Sequence, residues 1–324
     1  MHDILFMKTL NILFLSVFTL LVSSYAFGQS SFLVVPLGIR GGTDESNLSA
    51  YMLAPIGSND YICLDAGTVH AGIQKAIALK TFHESPAIVL RKYIKGFFIS
   101  HGHLDHLAGM IINSPDDSLK NIYALPFVLD ILKEKYFSWK SWANFADAGE
   151  APLLKKYHYV ALDTIVEKAI DNTSMSVKTF ILSHSSPYQS SAFLVRYNEN
   201  YVLYVGDTGA DSIEHSQRLR QLWQSIAPLV NEKKLKGIFI ETSFPDEQPA
   251  KQLFGHLTPQ LLMNEMKVLG GFCKDVNALA DLPVIITHIK PNGNNESKIK
   301  KQLVKSNSFK LKLIFPQQGK RITL

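Results

Sequence analysis

Residues 100–115 read SHGHLDHLAGMIINSP, so three histidines and an aspartate fall within six consecutive positions, directly after the apolar run IKGFFIS. Imidazoles and a carboxylate crowded together lose hydration that something else must replace. A chain carrying them at the end of an apolar run must therefore fold so that compensating groups meet them there. His101 and His103 are two residues apart, so an extended backbone points both to one side. Asp105 and His106 follow as the chain turns into LAGMII, which reads as the start of a helix. Imidazole nitrogen and carboxylate oxygen are the donors Zn²⁺ favours, at about 2.0–2.2 Å. Donor type alone leaves Mn²⁺ and Fe²⁺ open.

Nine short β-branched or aromatic runs punctuate the chain: SFLVVPLG, SAYMLAPI, DYICLDAG, IKGFFISH, VKTFILSH, SAFLVRYN, YVLYVGDTG, LKGIFIETS and LPVIITHI. Each is four to eight apolar-rich residues ending in a turn or polar cluster, which predicts strands. Helical patterns lie between several of them, including LPFVLDILKEKYFSWKSWANF and TPQLLMNEMKVLGGF. The second has Thr258 as N-cap, Pro259 in the first turn and Gly270–Gly271 near its end. No repeat, low-complexity segment or linker divides residues 29–324, so one α/β-layered domain is expected. His101, His184, Asp207, Glu241 and His288 all stand at or just past the C-terminal end of such a run. In a layered α/β protein those ends gather along one edge, where ligand sites form.

The 324 residues suffice for a sizeable core. With 46% hydrophobic and 19% charged residues the chain falls outside the disordered class. A net charge of +5 suits an anionic substrate without identifying one, since a solvated basic surface accounts for it as well. At the N-terminus, Lys8, the apolar stretch Leu10–Val22 and the small residues Ala26 and Gly28 read as a signal peptide over residues 1–28, with Met7 as an alternative start. The stretch is shorter than the roughly 20 residues of a membrane span; an uncleaved anchor is the alternative. The expectation is an exported chain, periplasmic or secreted, with no membrane association after cleavage. Cys63 and Cys273 allow one disulfide or two free thiols, and neither sits in a CxxC, so neither is read as a metal ligand.

The order His-x-His-x-Asp-His, then His184, Asp207 and His288, resembles the metallo-β-lactamase superfamily, whose fold is an αββα sandwich with two metals at one sheet edge. The stretch HGHLDHLAGMIINSP further resembles the signature of the class II cyclic-nucleotide phosphodiesterases, matching every defined position from His101 through Pro115. IETSFPDE, GHLTP with His256, THIKP and the closing FPQQGKRITL agree with the same family. The resemblance implies a first metal on His101, His103 and His184, a second on Asp105, His106 and His288, and Asp207 bridging both. Asp65 in LDAGT matches the superfamily's early strand-end aspartate, which supports the ligands; an ordinary turn residue is the other reading. Two divalent ions, Zn²⁺ by first choice, would share a water and lower its pKa to about 7.

The resulting hydroxide would open a 3′,5′-cyclic nucleotide, cyclic AMP before cyclic GMP, to the nucleoside 5′-monophosphate. Asp105 and His256 are the expected catalytic side chains, His256 as phosphate contact or as acid toward the leaving 3′ oxygen; capping or a purely structural bond is the competing role for His256. Glu241 could orient a ligand histidine. In the tRNA 3′-processing endonucleases of the superfamily a histidine precedes the equivalent glutamate; here that place is Ile240, so no proton-relay pair and no nucleic-acid substrate is expected. The aromatic residues of YFSWKSW and YHYVAL read as core rather than as a base pocket. His70, His83, His158 and His215 match nothing and read as surface or locally bonded. Two alternatives stay open. One is another hydrolase of the same fold, acting on a lactone, thioester or other phosphodiester. The other is a protein that binds cyclic nucleotide without turnover. Oligomeric state is not readable.

Overall fold

Apolar runs that alternate between two buried faces must be covered on both sides, and the chain does this with two sheets and outer helices. The computed structural model describes residues 31–275 and 277–324; the segment read as a signal peptide lies outside them. The first sheet takes β1 (Phe32–Gly38), β2 (Ala50–Pro55), β3 (Tyr61–Leu64), β4 (Ile94–Phe98), β5 (Lys120–Ala124) and β6 (Tyr157–Ala161). The second takes β7 (Lys168–Ala169), β8 (Ser176–Ser183), β9 (Gln189–Tyr197), β10 (Asn200–Val205), β11 (Leu235–Glu241), β12 (Pro283–Thr287) and β13 (Lys312–Ile314). A last short strand, β14 (Ile322–Thr323), returns to pair with β1, giving seven strands on each side in the orders β14-β1-β2-β3-β4-β5-β6 and β13-β12-β11-β10-β9-β8-β7.

All nine runs expected as strands are strands. Between the sheets lie Phe32, Val34, Leu53, Ile62, Phe98, Phe193, Val195, Val202, Phe239 and Ile285. The alternate residues face outward under helices, as the two-residue period of a strand requires. Val35, Leu37, Cys63, Phe97 and Ile99 pack below α1 (His70–Ala78), α2 (Leu104–Asn113) and α3 (Pro126–Ile131). Leu203, Val205, Ile238, Ile240 and Ile286 pack below α4 (Arg218–Asn231), α5 (Pro259–Phe272) and α6 (Asn295–Ser306). The layering is αββα. No helix among the described residues is long and apolar enough to cross a membrane.

Direction within the sheets explains why one rim collects the polar residues. Strands β3 to β6 run parallel, as do β10 to β13; β8 is antiparallel to β9 and β9 to β10, so β8 points the same way as β10. The C-terminal ends of β3, β4, β8, β10, β11 and β12 are thus the ends that lead into the polar residues.

Three local expectations are corrected or settled. The long helix read over residues 125–145 stops early: α3 continues only as a wider turn from Leu132 to Tyr136, and Trp139 takes φ 60°. YHYVAL, whose aromatic residues are read as core, falls on β6, with Tyr157 buried and Tyr159 only partly so. Cys63 and Cys273 are both free thiols; Cys63 is buried in β3 with Sγ 3.0 Å from the Asp65 carbonyl oxygen. In α5, Thr258 is the N-cap as expected, its hydroxyl accepting from Leu261 N.

Candidate metal centre

Each functional side chain stands where a strand lets go. Asp65 follows β3, His101 follows β4, His184 follows β8, Asp207 lies two residues past β10, Glu241 ends β11 and His288 follows β12. Asp65 and His288 take left-handed backbone conformations, φ 52° and 56°, which turn the chain off its strand at once. Such conformations are costly for residues other than glycine and persist where surrounding bonds over-determine them. For Asp65 those bonds come from Ser100 and Tyr204. Its Oδ1 accepts from Ser100 N at 2.7 Å, and its Oδ2 accepts from Ser100 Oγ at 2.8 Å and Tyr204 OH at 2.7 Å.

The same Oδ2 faces His106 Nδ1 at 2.7 Å. A carboxylate oxygen only accepts, so His106 carries its hydrogen on Nδ1. Ser100 has committed its proton to Asp65 and therefore accepts from His101 Nδ1 at 2.9 Å. His184 Nδ1 donates to the Gly255 carbonyl at 2.8 Å. His288 Nδ1 donates to Ser243 Oγ at 2.9 Å, whose own proton goes to Glu241 Oε2 at 2.6 Å. His256 Nδ1 donates to Glu241 Oε1 at 2.7 Å. Five imidazoles are thus tied by Nδ1, which directs Nε2 as the remaining nitrogen; His103, at the mouth, presents Nδ1 instead.

What surrounds those free nitrogens tests whether cations suit the site. His101 Nε2 lies 3.0 Å from His103 Nδ1, which lies 3.4 Å from His184 Nε2. Tetrahedral donors bound at about 2.0–2.1 Å stand about 3.3–3.4 Å apart. Burial, with the neighbouring imidazoles, pushes His101, His103 and His184 toward the neutral form, His103 to about 4. Three neutral rings therefore turn nitrogens on one another with too few hydrogens to share. Across the site, Asp207 Oδ2 is 3.1 Å from His288 Nε2, 3.2 Å from His106 Nε2 and 3.9 Å from His101 Nε2, and Asp105 Oδ2 is 3.1 Å from His288 Nε2. His106 Nε2 is buried without a hydrogen-bond partner, because Asp207 lies out of line with it. Burial opposes charge on His106, but Asp207, Asp65 and Asp105 outweigh it and raise its pKa, the same negative surroundings that would favour a bound cation. His101, His103 and His184 form one group of donors, Asp105, His106 and His288 another, and Asp207 shares a third with His101 and His106. This donor set fits two divalent ions.

All seven residues expected as ligands, with His256, meet at one place. Asp65 bonds His106 and is no mere turn residue. Glu241 holds both His256 directly and His288 through Ser243, and its carboxylate also accepts from Thr208 N and Leu257 N. Ile240 is buried under the outer helices, since strand alternation sends it to the opposite face from Glu241. Position 240 is apolar as read, so no histidine precedes Glu241 in the chain, yet a histidine–glutamate pair forms in space. The partner comes from residue 256, 15 positions on, which inspection of position 240 alone could not reveal.

Sequence reading named Asp65 and Glu241 among the residues that hold the ligands and missed the others. Gly41 leaves room for the His288 ring, which would lie 2.2 Å from a Cβ there, and Gly42 N (φ 79°) donates to Asp105 Oδ2 at 2.9 Å. The Gly41–Gly42 pair was the available signal. Tyr188 stacks its ring on His103, with centroids 4.8 Å apart and planes 6° off parallel, and its hydroxyl accepts from Gly102 N. Tyr136, in the stretch read as core, donates to Gly102 O at 2.9 Å.

Two helix-flanked mixed sheets with such a cluster on one rim define a protein of the metallo-β-lactamase fold. The arrangement superimposes on the metallo-β-lactamase fold protein YhfI from Bacillus subtilis with a TM-score of 0.59, at 16% identity over 90% of this chain and 99% of that one. An unliganded yeast PDE1 structure gives 0.79, at 21% identity over 91% and 100%. Residues 31–319 match the family model of the class-II cAMP phosphodiesterases, and the chain belongs to that family. It is 42% identical to a 3′,5′-cyclic-nucleotide phosphodiesterase of Aliivibrio fischeri over 97% of this chain and 98% of that protein. Family and fold together imply divalent metal ions.

Proposed function

We infer that the protein hydrolyses 3′,5′-cyclic nucleotides, cyclic AMP first, to nucleoside 5′-monophosphates. Family membership and the 42% identical relative support the reaction class. The observation that supports the chemistry is that two three-donor groups lie beside each other, with Asp207 near members of both, 3.9 Å from His101, 3.2 Å from His106 and 3.1 Å from His288. In this reading His101, His103 and His184 hold one ion, Asp105, His106 and His288 the other, and Asp207 lies between them; Zn²⁺ suits the nitrogen-rich set. A bound pair supplies a water activated near neutral pH and neutralises charge on the phosphoryl oxygens.

The chain's own residues do the rest. Asp65, Ser100, Ser243 and the Gly255 carbonyl fix the ring orientations, so the rings do not reorganise during reaction. His256 is the proton donor to the leaving 3′ oxygen: burial opposes its charge, but Glu241 2.7 Å away, then Asp207, outweigh that and raise its pKa. The test is cyclic AMP turnover with metal content measured in parallel. Turnover should vanish with chelator and return with Zn²⁺, and Asp105→Ala should abolish it. Full turnover in Asp105→Ala would defeat the assignment. Export is part of the same proposal, supported by the leader-like residues 1–28. N-terminal sequencing of protein recovered outside the cytoplasm should begin at Gln29; an intact N-terminus on the whole cellular pool would reject it.

A further inference from the structure

We propose that Lys290 is a phosphate-binding residue, its ammonium taking an anionic oxygen of the substrate phosphodiester and of the product phosphate. The inference rests on the phosphodiesterase reading for its substrate, but on local geometry for its place. His288 turns left-handed off β12, and residues 288–290 then run beside residues 39–41: His288 N donates to Ile39 O at 3.0 Å and Gly41 N to Ile289 O at 3.3 Å. Lys290 N donates to Ser243 O at 3.2 Å, the residue whose hydroxyl joins Glu241 to His288. The backbone of Lys290 is therefore fixed to the same frame as the donors. Its side chain lies along Phe244, with Nζ 5.8 Å from the ring centroid, and Nζ stands 3.6 Å from where a Cβ on Gly42 would be. Gly42 is the residue whose N–H holds Asp105. The ammonium thus sits beside the Asp105 end of the cluster.

A cation in that place would ordinarily find a carboxylate. Arg40, on the adjoining run, does: Nη1 lies 2.8 Å from Asp44 and Nη2 3.4 Å from Glu296. Among the described residues no carboxylate lies within ion-pair distance of Lys290 Nζ, and Asp105 and Asp207 are committed to His106 and His288. The backbone is pinned, and the ammonium stands over the Phe244 ring with no carboxylate of the described residues taking its hydrogens. A lysine ammonium is a compact point charge with three donors, suited to a phosphate oxygen.

The experiment compares wild type, Lys290→Met and Lys290→Arg, each brought to equal metal content. In Lys290→Met, kcat/KM for cyclic AMP should fall about 10- to 100-fold, carried mainly by KM. The affinity for inorganic phosphate, measured by calorimetry, should fall about 10-fold, and Lys290→Arg should recover part of both. Unchanged phosphate affinity and KM in Lys290→Met would overturn the proposal, and so would loss of bound metal, which would make Lys290 structural. Phosphate binding that depends on Lys290 in a protein without cyclic AMP turnover would uphold this site and reject the phosphodiesterase reading instead.

Discussion

Two clusters of buried charge occupy opposite ends of the same sheet, and they are built on opposite terms. At the N-terminal ends of β5 and β6, Lys120 Nζ contacts Asp117 Oδ1 at 2.6 Å and the Leu90 carbonyl at 2.7 Å, and Tyr157 donates to Asp117 Oδ2 at 2.8 Å. Ser118 N takes a further place on Asp117 Oδ1, and the Phe97 ring lies 5.3 Å from the ammonium. Every charge there has its answer inside the protein. At the other end, ring nitrogens of His101, His103 and His184 face one another, and His106 Nε2 has no hydrogen-bond partner. Burial alone therefore does not mark a functional site. What marks it is a set of ring nitrogens and carboxylate oxygens turned on one another at the rim, where a cation could take them up together.

The contrast can be broken by removing one member from each cluster. At the rim, His106→Ala should lower kcat/KM for cyclic AMP by about 10³-fold or more, about 4 kcal/mol of barrier. Activity within tenfold of wild type would remove His106 from the reaction. In the closed cluster, Asp117→Ala should leave bound metal unchanged. It should lower the unfolding free energy by about 3–5 kcal/mol, because it strands a buried ammonium; denaturant titration reads this directly. The third change acts on the supports of the rim. Tyr204→Phe removes one of the bonds that hold Asp65 against His106, and metal affinity should weaken by about 10-fold, the low end for outer partners of ligands. Competition with a chelating dye measures it, and an unaltered affinity would show that Ser100 suffices.

The smallest effect sharpens the comparison with an intermediate case. Glu265 is buried against Trp223 Nε1 at 2.8 Å and Asp211 N at 3.3 Å, and burial raises its pKa. A carboxyl raised in the folded state contributes stability that is complete below its unfolded value and is lost as pH rises through the folded one. Glu265→Gln should therefore gain stability on wild type between pH 5 and pH 8, seen as a narrowing or reversal of the melting-temperature difference. A difference that stays constant with pH would rule out titration of Glu265 in that range.

The two ends also differ in how far the sequence exposes them. The 101–106 segment is legible because its members are neighbours in the chain, and His184, Asp207, Glu241 and His288 because each ends an apolar strand. The αββα layering follows from the same runs. Of the supports, Asp65 and Glu241 were legible as strand-end carboxylates, but their partners were not, because those depend on distance in space alone: Tyr204 reaches Asp65 from 139 residues away, and His256 finds Glu241 across a loop. The helix expected through residue 145 failed for a related reason. Tyr136, Phe137, Trp139 and Trp142 have helical spacing, yet they are drawn to separate partners: Tyr136 to Gly102 O, Trp139 to Pro152 O and Trp142 to Ser114 Oγ. Tertiary bonds outbid local propensity there.

The return of β14 to β1 has a consequence for assembly. Leu324 O accepts from Ser31 N and Phe32 N, and Ile322 pairs with Val34, so one margin of the first sheet is sealed by the part of the chain made about 290 residues later. Until those residues emerge, β1 presents a long unpaired border to whatever else is nearby, a setting that favours edge-to-edge association. Changes at positions 322–324 should accordingly show themselves in the yield of soluble protein before they show in the catalytic constants of the molecules that do fold.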